Sequence, residues 1–244
     1  MKQWSHLDAQ RVLDDQIESW WFQGKRTIFD ALFQGKIPAD SWVLDVGAGQ
    51  GLFLNHLVAP GRLVAVDEWM FCLERNRARG GIPVNGDALH LPFRESFDYL
   101  FALDVLEHLP DDRAAVGEWA RVLKPGGRLV INVPALDCLW SEHDVQMGHY
   151  RRYDRAKLRG VFEDCGLRPQ RITYTNSFLF PLGWLCFRLK LHKGNDSNPE
   201  AHLPLPAMVT SAIGLCYRIE AAWLKHCYVP FGGSIIGIAA KPGA

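Results

Sequence analysis

Ser41-Trp-Val-Leu-Asp-Val-Gly-Ala-Gly-Gln-Gly51 constrains this chain more than any other stretch, because a near-continuous apolar run leads straight into a loop with glycine at every second position. An apolar segment of strand length that ends this way reads as a buried parallel strand feeding a ligand-binding turn. Gly47, Gly49 and Gly51 stand where backbone must pass close to something, and the missing Cβ lets main-chain N–H groups reach a ligand. Leu52 to Leu57 then resumes a helical spacing.

A dinucleotide is the first ligand to consider, since its fingerprint G-x-G-x-x-G follows a strand and opens a helix. Here the pattern is G-x-G-x-G, and the place of the third dinucleotide glycine is taken by Leu52. Asp45 lies two residues before the first glycine. A carboxylate beside a pyrophosphate is costly, whereas beside an ammonium or sulfonium it is favourable. The stretch therefore points to a cationic ligand, with a ligand-free β-to-α turn as the alternative.

At 244 residues the chain is long enough to bury a full α/β core as one embellished domain. Lys plus Arg and Asp plus Glu balance at 27 each, so no global field draws the protein to nucleic acid. Between His149 and Lys193, however, ten basic residues stand against three acidic ones, which marks a local basic region. The cysteines at 72, 138, 165, 186, 216 and 227 show no zinc-type spacing, and no metal site is expected from them. Asp8, Asp14, Asp15 and Glu18 interrupt any signal-like pattern at the start of the sequence, so a cytoplasmic location is expected. No apolar run approaches the ~20 residues that cross a bilayer.

Residues 7 to 33 read as two short helices, the first with Leu13, Ile17, Trp20 and Trp21 on one face and the second with Ile28, Phe29, Leu32 and Phe33. Leu63 to Asp67 is a second buried strand, and Asp67 lies 20 residues beyond Gly47, the offset at which an acid meets ribose hydroxyls across a βαβ unit. Ile82 to Asn85 is a third strand, followed by Asp87 and Ala88, an acid and a backbone N–H suited to the edge of adenine. Phe97 to Leu103 is a fourth, which delivers Asp104, Glu107 and His108 to its carboxyl end. Asp111 caps a helix that stops at Lys124-Pro-Gly-Gly127, and Leu129 to Val133 is the fifth strand. Asp154 is the N-cap of a helix bearing Leu158, Val161, Phe162 and Cys165. Strands alternating with helices at this pace predict a doubly wound parallel sheet with its ligand outside the carboxyl ends of the strands.

Taken together, Asp45-x-Gly47-x-Gly49-x-Gly51, Asp67, Gly86-Asp87, Asp104-Val-Leu-Glu-His108 and Leu123-Lys-Pro-Gly-Gly127 resemble class I S-adenosylmethionine-dependent methyltransferases, particularly the type 11/12 group, over residues 41 to 134. The Trp20-Trp-Phe-x-Gly24 arm and Gly148-His-Tyr-Arg-Arg-Tyr153 are similar to elements of one bacterial subgroup of those enzymes. The resemblance implies a Rossmann-like sheet of seven strands, mostly parallel with the last antiparallel. Arg168 to Asn176 and Ser234 to Lys241 fit the sixth and seventh strands. The expected organisation is a single domain: a helical arm at 1–38, a core at 39–177, an apolar helical insertion at 178–230 and the final strand at 231–244.

The same resemblance implies S-adenosylmethionine as cofactor, with S-adenosylhomocysteine as product. Asp45, Gly47, Ala48, Gly49 and Gly51 would hold its methionine part, Asp67 with Glu68 its ribose, Asp87 and Ala88 its adenine, and Leu103 and Asp104 would face the sulfonium. Methyl transfer needs the acceptor's lone pair held in line behind the methyl, with a base only where the acceptor carries a proton of high pKa. Three histidines stand where a base would act: His108, His143 and His149. Asp144, Arg151, Arg152 and Tyr153 are candidates for substrate contact, the two arginines for a phosphate or carboxylate. Each has a structural alternative, His108 and His149 as loop hydrogen-bonders and the arginines as partners of Asp144 or Asp154.

The expected reaction is methylation, at oxygen or carbon, of a small-molecule, glycan or lipid-linked acceptor. An NAD-dependent or nucleotide-sugar oxidoreductase and a non-catalytic cofactor-binding partner module are the rival readings. In the insertion, the apolar runs within 178–193 and 207–223 flank Arg188, Lys190 and Lys193. They suit peripheral contact with an anionic membrane face, or packing on the sheet edge or on a second copy in a homodimer.

Overall fold

A computed structural model describes residues 19–178, 180 and 206–243. In chain order the regular elements are α1 (Trp20–Phe33), β1 (Val43–Val46), β2 (Leu63–Asp67), α2 (Met70–Ala78), β3 (Ile82–Asn85), β4 (Phe97–Leu103), α3 (Asp112–Val122), β5 (Leu123–Pro134), α4 (Glu142–Met147), α5 (Arg155–Asp164), β6 (Arg168–Thr175), α6 (Ala207–Leu224) and β7 (Ser234–Ala240), with short 3-10 turns at Leu106–His108 and Asp137–Leu139. The strands form one sheet of seven in the order β3-β2-β1-β4-β5-β7-β6. Neighbouring strands from β3 to β5 are parallel, and β7 runs antiparallel to both β5 and β6. This is the doubly wound, seven-stranded architecture that the strand and helix spacing and the family resemblance predict.

The helices start where the sequence offers oxygen acceptors for their first N–H groups. Ser19 accepts from the Phe22 amide, Asp111 from Arg113 and Ala114, and Asp154 from Lys157. α4 opens on a capping box between Ser141 and Asp144 and closes on Gly148 at φ 75. Apart from Asp45 and Asn132 the centre of the sheet is apolar: Val43, Leu44, Val46, Leu100, Phe101, Ala102, Leu129, Val130 and Ile131 are all buried. Phe33 of α1 meets the Phe101 ring edge-on at 5.2 Å, while Trp119 of α3 and Phe162 of α5 are fully buried.

Three expectations need correction. Trp20, Trp21 and the residues to Arg26 are not the end of one helix and a link to the next: they form the first turns of the continuous α1, because Ser19 caps it and no helix-breaking residue intervenes before Phe33. Residues 1–18 lie outside the described residues, so the rest of the expected first helix does too. Leu52 to Leu57 forms hydrogen-bonded turns and not a regular helix. The segment is pinched between Gly51 at φ +74 and Pro60-Gly61, which leaves too few residues to propagate one. β5 begins at Leu123, well before Leu129, because Lys124-Pro-Gly-Gly127 carries an irregularity in the ladder and does not precede it.

Of the apolar insertion, residue 179 and residues 181–205, with Arg188, Lys190 and Lys193, lie outside the described residues. The second run is the 18-residue α6, whose Tyr217, Ala221 and Leu224 are buried and whose Tyr217 ring covers Gly24 of α1. The opposite stripe, Met208, Leu215, Ile219 and Trp223, faces outward among the described residues, Met208 at 84% exposure. Among those residues no helix is long and apolar enough to cross a membrane.

Candidate functional site

The sheet order reverses between β1 and β4, and the carboxyl ends of these strands with β2 and β3 open the crevice in which doubly wound folds bind ligands. The glycine loop forms its floor. Gly47, Gly49 and Gly51 all adopt left-handed backbone, at φ 66, 50 and 74, a conformation strained for any residue with a Cβ. A Cβ on Gly47 would also run into the side chain of Val105, just past β4, so the loop and the end of β4 are in close contact.

Asp67 holds the loop from the next strand. Its Oδ2 accepts from the Gly49 amide at 2.8 Å and its Oδ1 from the Trp69 amide at 2.9 Å. Ala48 donates its amide to the Val66 carbonyl at 3.0 Å. Burial raises the Asp67 pKa, against three backbone N–H groups that lower it. Asp45 is 4% exposed, and burial followed by the charge of Asp67 holds its carboxyl well above the usual range. Two carboxylates thus lie near one another beside oriented N–H groups, an arrangement that a ligand carrying both a carboxylate and a cation would relieve.

Glu68 is exposed, and its carbonyl accepts from Asn85 Nδ2 at 3.0 Å. Asp87 lies past β3, where His90 Nδ1 at 2.8 Å and the Leu89 amide at 2.8 Å meet its two oxygens, and its pKa is lowered chiefly by His90. The Ala88 carbonyl accepts from Trp119 Nε1 at 2.9 Å, which ties this corner to α3.

The far wall starts at half-buried Leu103 and at Asp104, a non-glycine residue at φ 56. Three contacts fix it there: its amide donates to the Asn132 carbonyl at 2.8 Å, Asn132 Nδ2 donates to Oδ1 at 2.7 Å, and Lys25 Nζ of α1 donates to Oδ2 at 2.5 Å. Glu107 follows, 1% exposed, its pKa held high by burial and then by Asp104, with Oε2 unpartnered among the described residues. The His108 ring meets that of His149 at 4.7 Å and 74°, and burial, then His149, pushes the His108 pKa down to about 4.

His149 is oriented by a buried carboxylate. Its Nδ1 lies 2.9 Å from Asp144 Oδ1, and because a carboxylate only accepts, Nδ1 carries the proton and Nε2 is left as an acceptor. Asp144 is itself gripped by Arg152 through Nε at 2.8 Å and Nη2 at 2.9 Å, and by the Ser141 amide at 2.9 Å. Burial raises its pKa, but the hydrogen bonds of His149 and Arg152 outweigh that and hold it well below the usual range. The Tyr150 amide donates to the Glu107 carbonyl at 2.7 Å, fastening this loop to the end of β4.

The structure therefore brings His108 and His149 together, whereas His143 is exposed on α4. Arg151 turns away to the Pro110 carbonyl at 2.5 Å and to Asp112 at 3.3 Å, and buried Tyr153 donates its hydroxyl to Asp112 at 3.1 Å. The polar groups of Asp144, Arg151, Arg152 and Tyr153 thus meet other groups of the protein: Asp112, His149, one another or the backbone. Sequence reasoning passed over Lys25 and Asn132, and placed Glu107 at the end of β4 without giving it a role. Lys25 stands far from Asp104 in the chain, and Glu107 was visible only as the neighbour of His108.

Residues 44–131 match a family described as a methyltransferase domain. A 37.1 kDa protein in a transposon of Streptomyces fradiae is 37% identical over 191 residues, 72% of this chain and 52% of that protein. A demethylmenaquinone methyltransferase of a Mycobacterium species is 42% identical over 96 residues, 38% of this chain and 41% of that enzyme. The chain thus spans about half or less of the length of these relatives. Among solved structures, a methyltransferase in complex with the Haloferax volcanii Trm112 activator superposes with a TM-score of 0.65 at 20% identity, covering 98% of this chain and 96% of that one. With the glycine loop, the ordered acids of the strand ends and the sheet order all in agreement, residues 44–131 form a methyltransferase domain of the type 11 group, the class I S-adenosylmethionine-dependent kind.

Proposed function

We propose that the protein transfers a methyl group from S-adenosylmethionine to a hydroxyl or acidic carbon of a small acceptor. The observation that carries this reading is the pairing of buried Asp45 with the Asp67-braced glycine loop on one side of the crevice and the His108–His149 pair on the other. The first group suits a ligand with an amino-acid end and a ribose. The second stands where an acceptor would meet the methyl.

In this reading Asp67 receives the ribose hydroxyls on its remaining lone pairs, Asp87 and Ala88 border the adenine, and Leu103 and Asp104 flank the sulfonium. The acceptor atom attacks the methyl carbon, the S–C bond breaks, and its electron pair stays on sulfur to leave S-adenosylhomocysteine. In the metal-free protein the acceptor's proton passes to Nε2 of His149, whose Nδ1–H is held by Asp144. Arg152 acts as a positioning residue for that histidine through Asp144.

Calorimetry with S-adenosylmethionine and with NAD separates this reading from an oxidoreductase. Asp67→Ala should weaken the methyl donor by about 1.5–3 kcal/mol, the scale of a lost charged hydrogen-bond pair. Affinity within about twofold of wild type would remove the ribose assignment. Incubation of a lysate with labelled donor, followed by lipid, glycan, protein and small-molecule fractionation, identifies the acceptor class. With that acceptor, His149→Ala should lower turnover at least about tenfold while leaving donor affinity intact. Bound donor with no methylated product in any fraction would favour the partner-module reading.

The outward stripe of α6 favours one refinement, a lipid-linked acceptor reached from a membrane surface.

A further inference from the structure

Glu107, His108 and His149 form a second kind of site at the acceptor end of the crevice. One carboxylate oxygen and one nitrogen from each ring lie within 4.8 Å of one another. We propose that these three residues bind a divalent transition-metal ion of the zinc type, with its remaining positions open to an oxygen of the acceptor. Metal binding itself does not require methyl transfer, whereas the role given to the acceptor's oxygen rests on the methyltransferase reading.

The donor set is one that such ions take: two imidazoles and a carboxylate, with open positions for water or substrate. Magnesium and calcium, which prefer all-oxygen shells, fit it poorly. Zinc bonds of ~2.0–2.2 Å place tetrahedral ligands about 3.3 Å apart. Occupation would therefore draw the three groups slightly together.

Three further features separate this cluster from a chance meeting of polar side chains. Glu107 is 1% exposed, yet its Oε2 has no hydrogen-bond partner among the described residues. A buried carboxylate oxygen without a donor is costly, and a cation is a direct remedy. One imidazole is also braced from behind: His149 Nδ1 faces the buried, arginine-gripped Asp144 at 2.9 Å. A second-shell oxygen on the far nitrogen fixes the tautomer and aims the other nitrogen, as metal-bound histidines require. Finally, the Tyr150 amide and Glu107 carbonyl hydrogen bond joins the two chain segments that supply the ligands, so the cluster is set by backbone.

An ion there would accept an acceptor's oxygen as ligand and lower the pKa of its hydroxyl, the proton passing to bulk water. His149 would then be a ligand and not the base, so chelation tells the two roles apart. The acceptors best suited carry a hydroxyl beside a second oxygen, able to occupy two open positions.

The test is titration of chelator-stripped, full-length protein with Co(II), read by its ligand-field absorption and by metal content after gel filtration. Wild type should take up one equivalent per chain. Glu107→Gln, which keeps the side-chain shape, and His149→Ala should each weaken binding by at least about tenfold, and exposed His226→Ala should not. Absence of stoichiometric uptake, or uptake unchanged in the Glu107→Gln/His149→Ala double variant, overturns the proposal. Donor affinity is measured on the same samples. Loss of metal uptake with donor binding intact counts against the metal site alone, and metal uptake without donor binding counts against the methyltransferase reading alone.

Discussion

Asp45 is the residue at which this fold works most directly against a charge. It is buried within β1, whose other residues are apolar, and burial and then the charge of Asp67 raise its pKa above that of a free carboxyl. The native state therefore binds its proton more tightly than the unfolded chain does. Stability contributed at this position is greatest at low pH and is lost as pH climbs from about 4 through the raised native value. In donor-free protein, Asp45→Asn should consequently increase the denaturant midpoint at pH 8, with a gain that shrinks towards pH 5, while it weakens S-adenosylmethionine. A gain independent of pH would show that the charge is already compensated by the protein. A residue that destabilises the empty site is understandable if a cationic ligand is what offsets it.

At the scale of elements, α1 and α6 meet most closely where Gly24 lies against the Tyr217 ring, leaving no room for a Cβ. Gly24→Ala should therefore destabilise the protein by about 1–3 kcal/mol, the cost of overpacking, and not stabilise it as the same change does in an open helix. Urea denaturation measures this, and an equal or raised midpoint would mean the helices separate freely. Glycine in the aromatic arm was legible as a composition feature, but its reason was not, because Tyr217 is far away in sequence. The strands were legible for a local reason: runs such as Leu63 to Val66 and Tyr99 to Leu103 are without charged residues because both sheet faces are covered. So were the caps Asp111 and Asp154, which act within a few residues. What escaped sequence reading was non-local. Asp144 looked like a substrate ligand until Arg152 and His149 were seen to converge on it, and Glu107 gained meaning only when the loop after β5 folded back over β4.

Over the whole molecule, the apolar outer stripe of α6 stands opposite the face that packs on α1, and it sets the terms on which the protein meets its surroundings. If the acceptor is lipid-linked, the protein should float with anionic liposomes at low salt, and glutamate at Met208, Leu215 and Trp223 together should abolish flotation while leaving the thermal transition in place. Folded, donor-binding wild-type protein that stays at the bottom of the gradient would dismiss the membrane and direct attention to a second copy. The path of the chain around this helix has its own consequence. It leaves β6 and re-enters at β7, adjacent strands, and Asn176 Nδ2 donates to Ser234 Oγ at 2.9 Å across the gap, 58 residues apart in sequence. Exit and return are thus stitched at one point on the sheet margin. Loss of the Asn176 side chain should therefore loosen both ends of the connection at once.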